Sequence, residues 1–586
     1  MVASSAIPIC HGTMESAQFS NFARQVVVGR WFSLFASFLV MTSAGAFYLY
    51  SYFPEHIKET LQCDQTTLNK ISFYKDIGSN IDVVSALLVY IAPSWILLLI
   101  CSALNFIGYF KIWQAVVGQI AHPTVEYFGV YIAIAGNSQI LANTVVLVIC
   151  VRNFPERRGV ILGLLKGFLG LGAAVLTQVY LAIYGHDTKS LILFIAWCPS
   201  LITLFFAFSI REVKIVKHPH EFRVFIQILC ITLVLALFLT VLTIAEQMVQ
   251  FDQLAYTFVV VAIIGLLILP LFIAIREEMV QLNLNNMIKF EKSQSKPQRP
   301  IHAISHNQNH GNSHYSNIFN KPERGDDYTI LQGFFSIDML LICLTISIGF
   351  GSSLTAMDNL GQIGESQGYS TESVNAMVSV ISIFNFVGRI FSGFVSEILL
   401  EKYKFPRPLM LTLTLLVSCI GFLLVAFPFH NSLYIASILI GFSFGSQVLL
   451  DITMISEIFG LEHYAMFYNI AQLSCPIGTY VLKVLVAGKL YDEAVKTWSD
   501  PTEYICHGEQ CYRSSFTFLT GISLLGAAIS LILVKRTREF YREDIYKKFR
   551  EDMDSLKEEV ELYPHDVRQP EVESIHVHQE GTIIKK

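Results

Sequence analysis

Charged and amide side chains interrupt several long apolar segments of this sequence. An acidic or basic residue that faces lipid at the centre of a bilayer costs about 2.5 to 3.5 kcal/mol, so such residues are expected to face a polar interior. There a lysine could bind an anionic solute, and a carboxyl group could carry a proton. The candidates for solute or coupling contacts are Lys75, Asp76, Asn80, Gln139, Asn143, Lys166, Asp338, Gln447 and Asp451.

Each candidate also has a purely structural interpretation. Lys75 and Asp76 could pair merely to neutralise charge. Lys166 is separated from the preceding loop by about 10 Å of helix and could extend back to the headgroups. Asp338 could be a carboxylate near a helix start, stabilised by the helix dipole. Two pairs of polar residues, Gln139 with Asn143 and Gln447 with Asp451, could simply form hydrogen bonds between neighbouring helices. Both interpretations stay open.

The composition indicates which elements must position these residues. Hydrophobic residues make up 53% of the 586 residues and charged residues only 15%, well below the roughly 25% charged of a soluble domain. About fourteen segments are apolar over the roughly 20 residues that a helix needs to cross a bilayer. In chain order these predicted spans lie near 31–53, 69–91, 94–114, 127–150, 159–184, 190–210, 223–247, 255–275, 330–357, 372–398, 409–428, 432–456, 464–487 and 515–534. The chain is therefore predicted to be an all-α polytopic membrane protein. A net charge of -5 gives no basis for nucleic-acid binding.

Basic residues alternate between successive predicted loops, as the positive-inside rule requires. One basic loop is RNFPERRG at 152–159, directly before the helix that carries Lys166. The alternation predicts that both termini are cytosolic, in the plasma membrane or an endomembrane. The first 30 residues lack the pattern of a cleaved signal peptide.

The cysteines show no metal-binding pattern. Most of the eleven lie in apolar segments, where cysteine behaves as a small hydrophobic residue. No metal site is therefore predicted, and the prediction of a transporter includes no cofactor and no enzymatic activity. Cys506 and Cys511 lie in a predicted outer loop, where the oxidising environment and their separation permit a disulfide.

An internal repeat divides the predicted spans. Residues 150–185 match 455–490, and residues 73–88 match 384–399, both at an offset of about 305 to 310 residues. Such a repeat predicts two six-helix halves with two extra helices between them, a 6+2+6 arrangement. The predicted boundaries are 1–30 for the cytosolic N-terminus, 31–210 for the first half, 211–280 for the two extra helices, 281–329 for a disordered cytosolic linker, 330–535 for the second half and 536–586 for a charged cytosolic tail.

One predicted helix carries glycines at spacings of three and four residues. Glycines on one helix face allow a neighbouring helix to approach closely. They are Gly159, Gly163, Gly167 and Gly170.

Several segments distributed along the chain resemble those of plant nodulin-like membrane proteins of the major facilitator superfamily. They include SFYKDIGSN, AGNSQILANT, RNFPERRGVILGLLKGF, DNLGQIGES and SCPIGTY. This family includes relatives of the nuclear-fusion-defective proteins and is similar in outline to bacterial oxalate/formate exchangers. The resemblance covers nearly the whole chain between residues 30 and 535, and it implies a major facilitator fold.

The segment GRIFSGFVSE resembles the superfamily signature between the second and third helices of a half. The resemblance implies that Glu397 locks the cytosolic gate with a basic partner, either Arg389 or Lys402, and that Gly393 allows close packing. The gating candidates are therefore Arg389, Gly393 and Glu397. In the first half Leu87 stands where the acidic residue is expected, so the gate is expected to be asymmetric.

These features predict a secondary active transporter that moves a small polar or anionic solute by alternating access, with proton coupling left open. Its expected partners are lipid, the solute and, for coupling, protons. The alternative is a transport-inactive membrane scaffold or sensor that acts on cytosolic proteins through its linker and tail. A polar interior favours transport, because a scaffold would tolerate apolar residues there.

Overall fold

Helix is the only regular secondary structure in the part of the chain that the structure, a computed structural model, describes. The described residues are 25–52, isolated positions between 57 and 78, 83–120, 123–185, 187–213, 221–248, 251–294, 322–498 and 508–546. A bilayer offers no water to backbone polar groups, so each spanning segment must satisfy its own hydrogen bonds. The predicted all-α fold class is confirmed.

Local interactions and a glycine mark the starts and ends of helices in the first half of the chain. The Thr124 side chain accepts a hydrogen bond from the Tyr127 N–H at a helix start. Another helix ends at Gly185, whose φ of 64° favours glycine. The helices are α1 (Arg30–Ala44), α2 (Val83–Ile91), α3 (Ser94–Val116), α4 (Val125–Asn153), α5 (Arg158–Tyr184) and α6 (Thr188–Phe206), and α1 continues as a 3₁₀ helix, Gly45–Tyr52.

Two further helices, α7 (Glu221–Met248) and α8 (Gln253–Gln294), pack against α1 and α5. Arg30 forms an ion pair with Glu221 at 3.0 Å, and Glu278 accepts the Trp31 backbone N–H at 3.1 Å. Few residues of the apolar part of α8, Gln253–Gln281, are buried in the protein alone, as expected for an apolar helix that faces lipid. The extra helices are therefore attached to the first half.

The second half contains one interrupted helix. A break at Leu473 and a π helix, Tyr480–Gly488, divide the predicted thirteenth span into short segments. The helices are α9 (Ile330–Phe334), α10 (Ile337–Asp358), α11 (Leu360–Ser366), α12 (Thr371–Tyr403), α13 (Arg407–Ala426), α14 (Ser432–Ile458), α15 (Tyr464–Gln472), α16 (Ser474–Thr479), α17 (Lys489–Trp498) and α18 (Gln510–Arg542).

Within the described residues, 12 helical segments are long and apolar enough to cross a membrane. They correspond to the third to fourteenth predicted spans. The first predicted span contains α1, which has 15 residues before the 3₁₀ helix begins, and the second contains the nine-residue α2 together with positions outside the described residues. The total of fourteen therefore stays a prediction.

The two halves are packed together at one end of the bundle and separately at the other. Within the described residues, buried apolar side chains form three clusters. The largest contains residues from both halves, such as Leu162 and Phe467. The other two are confined to the first half with one residue of α8, around Phe194, and to the second half, around Phe422. We call the end where α5 begins and α12 ends the closed end.

Two predicted boundaries differ from the helices. α8 extends to Gln294, inside the predicted linker, and α18 extends to Arg542, inside the predicted tail. Near the end of the predicted linker, the backbone N–H of Gly325 donates to the Ile458 carbonyl oxygen at 3.0 Å, so this part docks on the closed end. Whether 295–321 is disordered lies outside the described residues.

Candidate functional site

A buried polar group joins the two halves. The Lys166 Nζ atom of α5 donates to Asn143 Oδ1 of α4 at 3.0 Å and to the Tyr468 hydroxyl of α15 at 3.2 Å. Lys166 is only 6% exposed, so its ammonium group does not extend back to the headgroups. The amide of Asn143 also donates to the Tyr468 hydroxyl, at 3.5 Å. The lysine is thus held by one residue of its own half and one of the other half.

Arg389 of α12 lies beside this group and contacts α5 directly. Its Nη1 atom donates to the Lys166 carbonyl oxygen at 3.1 Å, and its Nε atom donates to Asn385 Oδ1 at 3.1 Å. It is 5% exposed, and no carboxylate in the described part of the chain lies within 4.0 Å of it. A buried arginine without an acidic partner is a binding candidate. We call Asn143, Lys166, Arg389 and Tyr468 the central group.

The glycines of α5 bring α12 close enough for these contacts. A Cβ atom at Gly163 would lie 3.4 Å from the Gly393 Cα atom, and one at Gly167 would lie 2.9 Å from the Ile390 side chain. Gly159 faces the Arg407 and Glu397 side chains, and Gly170 lies opposite the Arg389 guanidinium. All four predicted packing glycines therefore face α12 or its neighbour α13.

The polar residues of α14, Gln447 and Asp451, lack hydrogen bonds like those that Gln139 and Asn143 form on α4. Gln447 and Asp451 are both 1% exposed. Three of their side-chain atoms have no hydrogen-bond partner in the described residues: Nε2 and Oε1 of Gln447, and Oδ1 of Asp451. The side-chain amide of Asn469 and the hydroxyl of Tyr464, both on α15, are also buried without a hydrogen-bond partner in the described residues. Sequence reasoning missed the two α15 residues, although they lie in the repeated segment.

Gln139 belongs to the interior of the first half. Its amide donates to Asn105 Oδ1 of α3 at 3.2 Å, and the Asn105 amide donates to the Ile195 carbonyl oxygen at 3.0 Å. This network fastens α3, α4 and α6 to one another. These contacts fit the structural interpretation of Gln139, although its Oε1 atom has no hydrogen-bond partner in the described residues. Asn105 was not among the predicted residues.

Asp338 and Lys75 each have a contact with residues outside the central group. Asp338 is in the first turn of α10 and forms ion pairs with Arg324 at 2.9 Å and Arg536 at 2.5 Å, which matches the interpretation of a carboxylate near a helix start. The Lys75 Nζ atom lies 4.6 Å from the centre of the Phe47 ring. The remaining span-two candidates, Asp76 and Asn80, lie outside the described residues.

The closed end contains a second buried ionic cluster. Arg407, which is completely buried, pairs with Glu397 at 2.6 Å and with Glu457 at 2.7 Å. The hydroxyls of Tyr541 and Tyr546 each donate to Glu457 at 3.0 Å. Burial and the two carboxylates raise the pKa of Tyr546, so its hydroxyl stays neutral. We call these five residues the latch cluster.

The latch cluster corrects the predicted partner of Glu397. That partner is Arg407 at the start of α13, not Arg389 or Lys402. Arg389 lies two helical turns from Glu397 and contacts Lys166 instead. Glu457 lies in the segment SEIFG at 456–460. Nothing in this local sequence indicated an ion pair, because the partners come from different helices.

Other contacts at the closed end cross directly between the halves. Arg158 donates to the Ser456 carbonyl oxygen, and its guanidinium carbon lies 5.8 Å from the centre of the Tyr546 ring. The rings of Tyr90 and His463 lie 4.8 Å apart, and burial lowers the pKa of His463. These contacts hold α2 and α5 against the second half.

Cys511 is disulfide-bonded, and its partner lies outside the described residues. Its pairing with Cys506 therefore stays a prediction.

Comparisons with known proteins match both halves. Residues 30–275 match the Nodulin-like family, and residues 334–543 match the family described as NFD4, C-terminal domain. The chain is 24% identical over 538 residues to Protein NUCLEAR FUSION DEFECTIVE 4 of Arabidopsis thaliana, a match that covers 87% of this chain and 89% of that protein.

Two further matches concern a shorter segment and the fold. The chain is 26% identical over 221 residues to Probable transporter MCH1 of Yarrowia lipolytica, which covers 36% of this chain and 45% of that protein. The structure of the present chain is similar to that of the major facilitator proton:xylose symporter XylE. The TM-score is 0.52 and the identity is 12%, and the match covers 88% of this chain and 96% of XylE. The structural likeness confirms the predicted fold.

Proposed function

The chain belongs to the nodulin-like membrane proteins of the major facilitator superfamily, and from that premise we propose that it is a secondary transporter of a small anionic or polar solute. The observation that carries the proposal is the bonding of buried Lys166 in the first half to Tyr468 in the second. A buried polar contact between two mobile halves is costly unless it serves a solute that passes between them.

The position of the central group supports this function. On α4, Ala135 belongs to the separate first-half cluster and Leu141 to the shared cluster, and Asn143 follows two residues later. On α12, Ile381 belongs to the second-half cluster and Phe386 to the shared one, and Arg389 follows within one turn. The central group therefore lies at the base of the region where the halves separate, which a solute would reach from the open end.

The charge of the central group favours an anionic solute. Arg389 has no carboxylate within ion-pair distance in the described residues, and Lys166 adds a second buried cation. A guanidinium presents several donors in a plane and binds carboxylates in a bidentate manner. The polar atoms of Asn143 and Tyr468 would fix the orientation of the bound group. A small carboxylate fits this combination.

The alternating-access cycle follows from the packing at the two ends. The distribution of basic loops predicts that the closed end faces the cytosol, so the described conformation is outward-facing. Solute binding draws α5 and α12 together over the central group. Release requires separation of α5 from α12 at Gly159 and Gly393, and loss of the contact between Arg158 and Ser456.

The test is solute exchange by the full-length protein reconstituted in lipid vesicles. Vesicles loaded with an unlabelled carboxylate are diluted into the same labelled compound, over a panel of small mono- and dicarboxylates. Wild-type protein is expected to exchange at least one of them, and Lys166→Met is expected to lower that exchange at least tenfold. The matched control is Lys402→Met, since Lys402 is exposed and contacts no member of the central group. Unchanged exchange in Lys166→Met would reject the site.

The scaffold alternative makes a different prediction in the same system. It expects no exchange by the wild type and a loss of cytosolic partner binding when the tail is removed. The deletion must begin at residue 547, because Tyr541 and Tyr546 belong to the latch cluster. A wild type that exchanges no member of the panel but binds a cytosolic protein through 547–586 would support the scaffold.

A further inference from the structure

We propose that Asp451 binds a proton, that its carboxyl group is the neutral acid in the described conformation, and that it releases the proton when the closed end opens. The presence of a bound proton stands independently of solute transport. The coupling of that proton to solute movement rests on the function proposed above.

The surroundings of Asp451 do not accommodate a carboxylate charge. The residue is 1% exposed within α14, and its Oδ1 atom has no hydrogen-bond partner in the described residues. Glu457, six residues further along the same helix, is bonded to Arg407, Tyr541 and Tyr546. An ionised carboxylate buried without a partner costs several kcal/mol, and such a group takes up a proton instead. Two acids on one helix therefore differ in charge because their partners differ.

The charged groups on the helices around α14 are engaged elsewhere. Arg158 of α5 donates to the Pro155 and Ser456 carbonyl oxygens, and Lys166 donates to Asn143 and Tyr468. On α12 and α13, Arg389 donates to Asn385 and Arg407 pairs with Glu397 and Glu457. From α10 the Cys343 thiol lies within electrostatic reach of Asp451. No ion pair to Asp451 exists in the described residues.

A protonated carboxyl group also suits the neighbouring amides. Gln447 lies four residues before Asp451 on the same face of α14, and its amide oxygen lacks a donor in the described residues. The carboxylic acid has an O–H donor that the carboxylate lacks. A protonated Asp451 therefore supplies an O–H donor beside the Gln447 amide oxygen, which has no donor in the described residues. An ionised Asp451 would instead add further acceptors that lack a donor.

The helix α15 packs against α14, which carries Asp451, and it includes Tyr468 of the central group. Asn469, whose buried side-chain amide has no hydrogen-bond partner in the described residues, directly follows Tyr468, which is bonded to Lys166. The same helix begins beside His463, which contacts Tyr90 of the first half. Opening of the closed end moves α15 away from α2, so that water can reach Asp451. A hydrated carboxyl group then loses its proton to the cytosolic side.

The first experiment detects the proton directly and needs no solute. The infrared spectrum of the purified full-length protein in lipid nanodiscs is expected to contain a carbonyl band of a buried carboxylic acid near neutral pH. Asp451→Asn, a neutral substitution of similar shape, is expected to remove this band. The matched control is Asp338→Asn, whose carboxylate is paired with two arginines, and this variant should retain the band. A band that persists in Asp451→Asn would overturn the proposal.

The second experiment tests coupling with the carboxylate exchanged by the wild type. An inwardly directed proton gradient is expected to drive accumulation at least tenfold in wild-type vesicles, and Asp451→Asn is expected to make uptake independent of the gradient. Asp451→Glu keeps a carboxyl group and should restore part of the dependence, which would show that the loss in Asp451→Asn results from the missing carboxyl group. Gradient-driven accumulation by Asp451→Asn would reject coupling at this residue. If no carboxylate is exchanged by the wild type, the transport proposal fails while the infrared result still decides whether the proton is bound.

Discussion

The closed end and the centre of the bundle bury charged side chains in opposite ways. At the closed end Arg407 lies between Glu397 and Glu457, and every member of the ionic cluster has a partner of opposite sign. At the centre, Arg389 has no carboxylate and Asp451 no cation within ion-pair distance in the described residues. A paired buried charge stabilises one arrangement of helices, whereas an unpaired one is stabilised by a ligand or a proton. The difference distinguishes residues whose charges are neutralised within the protein from the residues proposed above to bind a solute or a proton.

The two regions share their helices. Arg389 and Glu397 are eight residues apart on α12, and Asp451 and Glu457 are six apart on α14, which correspond to about 12 and 9 Å of helix. A movement of either helix at the closed end therefore displaces Arg389 or Asp451 at the centre. This arrangement explains how occupancy of the central group could change the packing of the latch cluster without a direct contact.

The largest expected effect is the loss of the cation of the latch cluster. Arg407→Gln leaves the Glu397 and Glu457 carboxylates buried without their partner, which is expected to cost about 3 to 5 kcal/mol. The measurement is the yield of folded protein and its thermal unfolding temperature in detergent. The control is Arg157→Gln, which breaks a 2.6 Å pair with Glu401 and also removes a cation 5.0 Å from the centre of the Phe222 ring. The Arg157 and Glu401 side chains are 19% and 59% exposed, so loss of this partly exposed pair should cost only about 0 to 1 kcal/mol. Equal losses in both variants would contradict the difference between paired buried and paired exposed charges.

A second prediction changes the shape of the closed end and leaves its charges in place. A Cβ atom at Gly393 would lie 2.7 Å from the Gly159 carbonyl oxygen, so Gly393→Leu is expected to keep α5 and α12 apart. Overpacking costs about 1 to 3 kcal/mol, which corresponds to at least a fivefold shift towards the form open at this end.

Distances between spin labels at Glu212 and Lys402, on opposite sides of the closed end, would measure that shift. Gly361→Leu is the control, because a Cβ atom there would meet nothing within 4 Å. A label distance in Gly393→Leu that matches the wild type would show that the backbone contact does not determine closure.

The sequence predicted the helices and the interior residues better than it predicted their partners. Span lengths and the stripe from Gly159 to Gly170 follow from periodicity, which is local, and so does the interior position of Lys166. The partner of Glu397 could not be predicted in this way, because Arg407 begins the next helix and Glu457 ends a third. Ion pairs between helices depend on rotation and depth, which no local pattern encodes.

Two other differences have the same origin. Asp338 carries the polarity expected of a coupling residue, but it lies in the first turn of α10 where two arginines from distant segments reach it. Tyr546 was assigned to a charged tail, yet its hydroxyl enters the latch cluster because the chain turns back after α18. In both cases the sequence indicated a polar or charged residue, but its partners could be identified only from the folded structure.

A smaller effect is expected from removal of one neutral member of the latch cluster. Tyr546→Phe deletes a hydroxyl that donates to Glu457 and lies 3.4 Å from Arg407, but leaves both charges paired. One hydrogen bond to a charged group contributes about 1.5 to 3 kcal/mol, or less when water can replace it. The variant should therefore open the closed end more often than the wild type and less often than Gly393→Leu, by the same label distance. Tyr480→Phe, at an exposed ring, is the control, and an equal response of the two would exclude a role of Tyr546 in closure.

The smallest expected effect is a pH response of the contact between His463 and Tyr90. Burial lowers the pKa of His463 in the closed form, while hydration after opening returns the pKa towards its ordinary value of about 6.5. The open form thus binds more protons, so the contribution of His463 to closure is complete above about pH 6.5 and is lost as the pH falls towards the lowered pKa. Acidification should open this end by less than tenfold.

His463→Phe separates this response from that of Asp451. The variant keeps an aromatic ring beside Tyr90 but cannot titrate, so the opening on acidification should disappear, while His430→Phe, at an exposed residue, should retain it. Asp451 has the opposite sign, because a carboxyl group that is neutral only in the closed form stabilises closure as protons are added. His463→Phe should therefore close slightly on acidification, and the added change Asp451→Asn should abolish that closure. Persistent opening in His463→Phe would mean that neither group controls the pH response of the closed end.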